Sequence, residues 1–230
     1  MHRETLELQK KVLGMEHTDT LASMNNLALA LSNQDKFVEA EEMYRATLPL
    51  QKKVLGTEHI DSLKTMSNLA ITLTKQGKYE QAEDLHRETL ALKETVLGKE
   101  HPETLKSMNN LVGTLSNQRK YEQAELMHRE ALVLKEKILG KEHPETLDSL
   151  SWIAYLSHQQ HQYKDALALY EKAYTGFVES LGPNHPKTRT CLALYNSVQQ
   201  ALDEQAAASE SYVVVDEPRH PGSERNTKYR

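Results

Sequence analysis

The sequence lacks the features that mark several classes of protein. It contains a single cysteine, Cys191, so no disulfide can form within the chain. It has no excess of basic residues, because 28 Lys and Arg residues stand against 33 Asp and Glu residues, for a net charge of -5. A surface that binds nucleic acid needs a basic patch or stripe. We therefore expect no nucleic-acid partner.

Long apolar runs are also missing. No run approaches the roughly 18 to 20 residues that a helix needs to cross a bilayer. The first residues contain no apolar core of a signal peptide. We therefore expect a cytoplasmic protein without a membrane partner. Hydrophobic residues make up 38% of the chain and charged residues 27%, a balance that favours thin two-layer helical stacks over a thick globular core.

A repeat of 42 residues dominates the chain. One histidine and one glycine return at this interval, and no insertion breaks the register; the histidines are His17, His59, His101, His143 and His185. An interval of this length indicates a stacked supersecondary unit that buries its apolar face against its neighbours.

Two helices fill each repeat. In the first repeat Leu21, Met24 and Leu27 lie at helical spacing, and a second helical stripe begins at Phe37. Gly56 ends the second helix, because glycine adopts the left-handed conformation of a helix C-cap at little steric cost. The pattern predicts first helices over 18–33, 60–75, 102–117, 144–160 and 186–204, and second helices over 37–55, 79–97, 121–139 and 163–181.

The repeat divides the chain into seven units. The first residues of the chain match a second helix that lacks its partner, so we expect the chain to be a piece of a longer array or a truncated gene product. The end of the chain loses the period and gains Pro and Gly, which is typical of disorder. The predicted units are a truncated repeat (1–16), four repeats (17–58, 59–100, 101–142 and 143–184), a C-terminal capping helix (185–208) and a disordered tail (209–230).

The residues within each repeat resemble those of tetratricopeptide repeats. Asn26 is followed by Leu-Ala and then by Phe37, Ala40 and Tyr44, which matches the family's pattern of small and large residues. The 42-residue interval and the Leu-Gly-x-x-His-Pro element resemble the kinesin light chain type. The repeats are equally similar to the arrays attached to fungal NB-ARC or NACHT nucleotide-switch receptors. The resemblance covers about residues 1–190 and implies an all-α, right-handed superhelical solenoid of antiparallel helix pairs.

The resemblance also implies a function. In such solenoids the first helix of each pair lines a concave groove, so we predict a protein-interaction scaffold of the kinesin light chain cargo-adaptor type that binds an extended peptide segment. The alternative is a sensor or autoregulatory array of a larger receptor. The sequence does not decide the oligomeric state.

Side chains along the predicted groove suggest how it would bind. Asn amides can pair with both polar groups of a peptide backbone, Lys residues favour an acidic partner, and an aromatic pair can act as an anchor. The alternative for the Asn residues is a structural role, in which they bond to the neighbouring repeat. The predicted groove residues are Asn25, Asn26, Lys64, Asn68, Lys106, Asn109, Asn110, Trp152 and Tyr155.

Only one pattern suggests catalysis. Glu83 and His86, like Glu125 and His128 one repeat later, have the Glu-x-x-His spacing of di-metal helical bundles. Those bundles need facing antiparallel helices, whereas these two copies lie on parallel helices. The chain has no phosphate loop, nucleophile elbow or His-Glu-x-x-His motif. We therefore expect no enzyme, no metal and no cofactor, and we predict that the histidines at the repeat junctions are loop and capping residues.

Overall fold

The computed structural model describes residues 2–213, which form ten helices and, within this range, no strand. In chain order the helices are α1 (His2–Val12), α2 (Thr18–Ser32), α3 (Phe37–Val54), α4 (Ile60–Lys75), α5 (Tyr79–Leu97), α6 (Pro102–Asn117), α7 (Tyr121–Leu139), α8 (Pro144–Gln159), α9 (Tyr163–Leu181) and α10 (Pro186–Val213). The all-α solenoid of helix pairs is confirmed.

Each first helix begins at a histidine that caps it. The Nδ1 atom of His101, for example, accepts a hydrogen bond of 3.1 Å from the backbone N–H of Glu103. This bond satisfies one of the N–H groups that the first turn of a helix leaves without a partner. The same bond, at 3.2 Å, occurs at His17, His59, His143 and His185. The capping role predicted for these histidines is confirmed.

A second contact fixes the turn between repeats. Gly98 follows α5 with a φ of 90°, a backbone conformation that residues other than glycine rarely adopt. The buried hydroxyl of Thr104 donates a hydrogen bond of 2.8 Å back to the carbonyl oxygen of Gly98. The same pairing of a hydroxyl with a glycine carbonyl joins Ser62 to Gly56, Thr146 to Gly140 and Thr188 to Gly182.

The two helices of a repeat differ in burial. Eight of the 16 residues of α6 are buried, whereas four of the 19 residues of α7 are. The first helices are therefore packed between neighbours, and the second helices form the outer layer. Fully buried alanines such as Ala28 and Ala70 let the helices approach closely, and Tyr44 fills the larger spaces.

The predicted helix bounds agree with the structure to within one residue from α2 to α9. The prediction for the last helix is wrong, because α10 continues to Val213 instead of ending near residue 204. It therefore runs five residues into the predicted disordered tail, and the rest of that tail lies outside the described residues. None of the described helices is both long enough and apolar enough to span a membrane.

Candidate functional site

Three first helices, α6, α8 and α10, together with Phe177 of the second helix α9, line an opening of about 770 Å³. We term this opening the aromatic groove. Most of its lining is apolar, and Trp152 and Tyr155 form one wall. Its lining consists of Gly113, Ser116, Asn117, Asp148, Ser151, Trp152, Tyr155, Phe177, Pro186, Lys187, Thr190, Cys191 and Leu194.

Trp152 is held in place by two other rings. Its indole stacks on the ring of His128 from α7, with centroids 6.2 Å apart and an interplanar angle of 16°. The ring of Tyr155 meets it edge-on at 5.8 Å. Even so, 51% of Trp152 is exposed to solvent. The groove therefore has a supported aromatic wall with a free face, which is typical of an anchor at a binding surface.

A second opening, of about 600 Å³, adjoins the first at Trp152. It lies beside the beginnings of α6 and α8, and it brings together three of the predicted groove residues, Lys106, Asn109 and Trp152. Tyr155 lines the aromatic groove next to it. Four of the nine predicted residues, Trp152 among them, thus line the two openings.

The other predicted asparagines differ in their surroundings. The Asn25 amide oxygen accepts a hydrogen bond of 2.9 Å from the hydroxyl of Thr65 in the next repeat. This contact gives Asn25 the structural role that the sequence left as an alternative. Asn68 is half-buried and faces the buried Tyr44 of the preceding repeat. Asn26 is exposed and Asn110 is half-buried.

The predicted lysines lie close to carboxylates on their own helices. The Nζ atom of Lys64 is 3.7 Å from Asp61, and that of Lys106 is 3.9 Å from Glu103. Both lysines are exposed, so these ion pairs contribute little to stability. The carboxylates nevertheless offset much of the positive charge on which the expected preference for an acidic partner depends.

The glutamates of the Glu-x-x-His pattern hold neighbouring repeats together. Glu83 accepts hydrogen bonds from Lys120 Nζ at 2.7 Å, Gln118 Nε2 at 2.8 Å and Arg87 Nε at 3.0 Å. Burial raises the pKa of Glu83, but these bonds outweigh it and lower the pKa to about 2. We term this arrangement the glutamate clamp, and Glu41 forms it one repeat earlier.

The histidines of the same pattern have separate surroundings. His86 is buried, and burial together with the nearby Lys93 lowers its pKa to about 4. Lys93 is itself buried, and its Nζ donates to the Ser107 hydroxyl at 2.9 Å and to the Glu103 carbonyl oxygen at 3.3 Å. Among the described residues, no group of three or more His, Cys, Asp or Glu side chains is placed to hold a metal ion.

Two features of the aromatic groove were not predicted from the sequence. Gly113 occupies the position that belongs to Leu29, Ile71 and Tyr155 in the other repeats, so a side chain is missing there. Ser116 lines the same opening. The break in an otherwise apolar register was the signal that could have identified Gly113.

The sequence matches a known family of repeat proteins. A family model described as tetratricopeptide repeat matches residues 19–95, 61–137 and 145–213. No curated protein matches the sequence.

Solved structures show the same architecture. Two structures of nearly identical TPR-like repeats of the kinesin light chain type from Podosopora anserina are similar to this chain. One has 25% identity and a TM-score of 0.73, covering 85% of this chain and 93% of its own. The other has 24% identity and a TM-score of 0.72, covering 83% and 90%. BtubC (BKLC) from P. vanneervenii shares the fold at 17% identity and a TM-score of 0.70, covering 100% of this chain and 93% of its own. The chain belongs to the tetratricopeptide repeat family, and its repeats are similar to those of the kinesin light chain type.

Proposed function

We propose that this chain is a protein-interaction scaffold that holds an extended peptide segment of a partner protein in the groove lined by its first helices. The aromatic groove is the observation that carries the proposal. It combines an exposed aromatic face at Trp152 with an opening of about 770 Å³ whose lining is mostly apolar. The similarity to repeats of the kinesin light chain type supports an adaptor role, in which the bound segment belongs to a cargo protein.

The two openings that meet at Trp152 suggest how the segment lies. The aromatic groove offers apolar surface, and the adjoining opening offers the Asn109 amide and the Lys106 ammonium group. An amide can donate to and accept from a peptide backbone, so Asn109 suits an extended main chain of any sequence. The aromatic groove then supplies the preference for a particular side chain.

Two finer expectations remain predictions. A preference for acidic peptides has little support, because Lys64 and Lys106 each lie next to a carboxylate. The receptor-array alternative also stays a prediction, because no contact in residues 2–213 favours it over the adaptor role.

Selection from a random dodecapeptide display library tests the proposal. We expect peptides that bind the purified chain to lose at least about tenfold in affinity when Trp152→Ala removes the aromatic wall, since hot-spot aromatic residues contribute about 2 kcal/mol or more. Affinity is measured by fluorescence anisotropy of labelled peptides. Leu126→Ala is the control, because Leu126 is an exposed apolar residue of the second helix α7.

Circular dichroism of both variants separates loss of binding from loss of fold. If no peptide is selected, or if the selected peptides respond to Leu126→Ala and not to Trp152→Ala, the proposed groove is wrong.

A further inference from the structure

A side chain is missing from the wall of the aromatic groove. The register that carries Leu29, Ile71 and Tyr155 carries Gly113 in α6. Gly113 has no positive φ, so its backbone conformation does not require glycine. A Cβ atom built at this position meets no described atom within 4 Å. Neither strain nor close packing therefore explains the glycine, and its effect is to leave space in the groove.

A polar group beside this space lacks a partner. In the two preceding repeats the hydroxyl at the position of Ser116 approaches a threonine of the next first helix, as Thr74 approaches Thr114 at 2.9 Å. The residue that would receive Ser116 is Leu156, which has no polar group. Within the described residues the buried Ser116 hydroxyl has no hydrogen-bond partner. A buried hydroxyl in this state favours a ligand atom that completes its hydrogen bond.

The charges of the groove cancel each other. Of the residues that line it, only Asp148 and Lys187 are charged, and they form an ion pair with each other. A charged side chain entering the groove would find no free opposite charge and would lose its hydration. The occupant that fits is therefore neutral and apolar.

We propose that the space over Gly113 is a socket for one large apolar side chain, aliphatic or aromatic, of the bound peptide. This socket deepens the proposed function and rests on it. The inserted side chain replaces the one that the repeat omits and packs against Trp152 and Leu194. The peptide main chain beside it completes the hydrogen bond of Ser116. Gly113 is thus the residue that selects the anchor.

The test is a substitution at Gly113 that fills the socket with a side chain of the protein itself. Gly113→Leu restores the side chain that the first repeat carries at this position, and we expect it to fold, because the added atoms enter open space. Dodecapeptides selected on the unmodified chain should share one large apolar residue. Gly113→Leu should lower the affinity of these peptides by about tenfold or more, and Gly113→Ala should lower it less. Ala91→Leu, which adds bulk to the exposed side of α5, is the matched control and should not change their affinity.

Trp152 provides a second measurement, because it is the only tryptophan of the chain. We expect each selected peptide to shift its emission to the blue and to protect it from acrylamide quenching. In peptides whose apolar residue is changed to Ala, both effects should be lost.

The outcomes separate the socket from the groove. Peptides that require Trp152 but share no apolar residue, or that bind Gly113→Leu unchanged, would overturn the socket and leave the groove standing. Failure to select any peptide that depends on Trp152 would overturn both.

Discussion

The hydroxyl of Thr104 donates a hydrogen bond of 2.8 Å to the carbonyl oxygen of Gly98, six residues earlier in the chain. The carbonyl groups at the end of a helix have no partner within the helix. This bond satisfies one of them and ties the end of α5 to the start of α6. Thr104 is fully buried, whereas Gly98 is half-buried.

Thr104→Val should therefore lower the free energy of unfolding by about 1 to 2 kcal/mol, since valine has nearly the same shape but removes the shorter of the two hydrogen bonds that the Gly98 carbonyl oxygen accepts, leaving only the 3.3 Å bond from the His101 backbone N–H. Urea denaturation measures the change. Thr95→Val is the control, because the Thr95 hydroxyl bonds to Ala91 within its own helix and is exposed. Equal losses in the two variants would show that the turn does not depend on this bond.

The glutamate clamp gives a prediction that depends on pH. Glu83→Gln should destabilise the chain at neutral pH by about 1.5 kcal/mol, because three donors lose a charged acceptor. The loss is no larger because two of the donors, Arg87 and Lys120, are exposed to solvent. The folded pKa of about 2 lies below the ordinary 4.5. The contribution is therefore complete above pH 4.5 and disappears as the pH falls toward 2.

The difference in melting temperature between Glu83→Gln and the unmodified chain should close over that range. Asp84→Asn, at an exposed position of the same helix, should show no such dependence. A difference that stays constant down to pH 2 would contradict the assignment of the clamp.

Protonation of the buried histidines should destabilise the folded chain at a higher pH than protonation of the glutamate clamp does. His86 and His128 each have a folded pKa of about 4, below the ordinary 6.5. Their neutral forms therefore favour the folded state fully above pH 6.5. That contribution is lost as the pH falls to 4, by on the order of 3 kcal/mol for each histidine.

Tyrosine occupies the same register in the first and fourth repeats, as Tyr44 and Tyr170. Replacing both histidines by tyrosine should therefore flatten the dependence of the melting temperature on pH between 6.5 and 4. A slope equal to that of the unmodified chain would assign the acid sensitivity to other groups.

Pro49 gives a further prediction about stability. It lies inside α3, where the equivalent residues of the other repeats are Ala91, Val133 and Thr175. Proline removes one backbone hydrogen bond within a helix and costs on the order of 3 kcal/mol. Pro49→Ala should raise the melting temperature, as measured by circular dichroism. An unchanged or lower value would mean that α3 accommodates the ring without strain.

The helices could be predicted from the sequence because their start and stop signals recur. Every repeat has a glycine and a capping histidine in the same places, so an error in one repeat would be visible against the others. The end of α10 could not be found in this way, since no further glycine or capping histidine follows His185 at the 42-residue interval. Alanines near residue 206 favour continued helix, and the first proline after them is Pro218.

The site could be predicted only in part. Trp152 was identified because it interrupts the register of Asn26, Asn68 and Asn110 on a first helix, and Tyr155 because it is a second aromatic residue close to Trp152 on the same helix. The stacking of Trp152 on His128 could not be predicted, since it depends on how one repeat rotates against the next. Asn25 shows the same limit, because an amide oriented toward a peptide and one bonded to Thr65 have the same spacing along the chain.

The clamps have a consequence for how the gene can change. Gln118 and Lys120 bond to Glu83 in the same way that Gln76 and Lys78 bond to Glu41 one repeat earlier. Duplicating or deleting one whole unit of 42 residues before the third repeat therefore recreates every such pair at the new junction. Those units are interchangeable spacers. The third and fourth repeats differ, because they contribute Gly113 and Trp152 to the aromatic groove, so recombination among the earlier units can set the reach of the array while the recognition element is inherited unchanged.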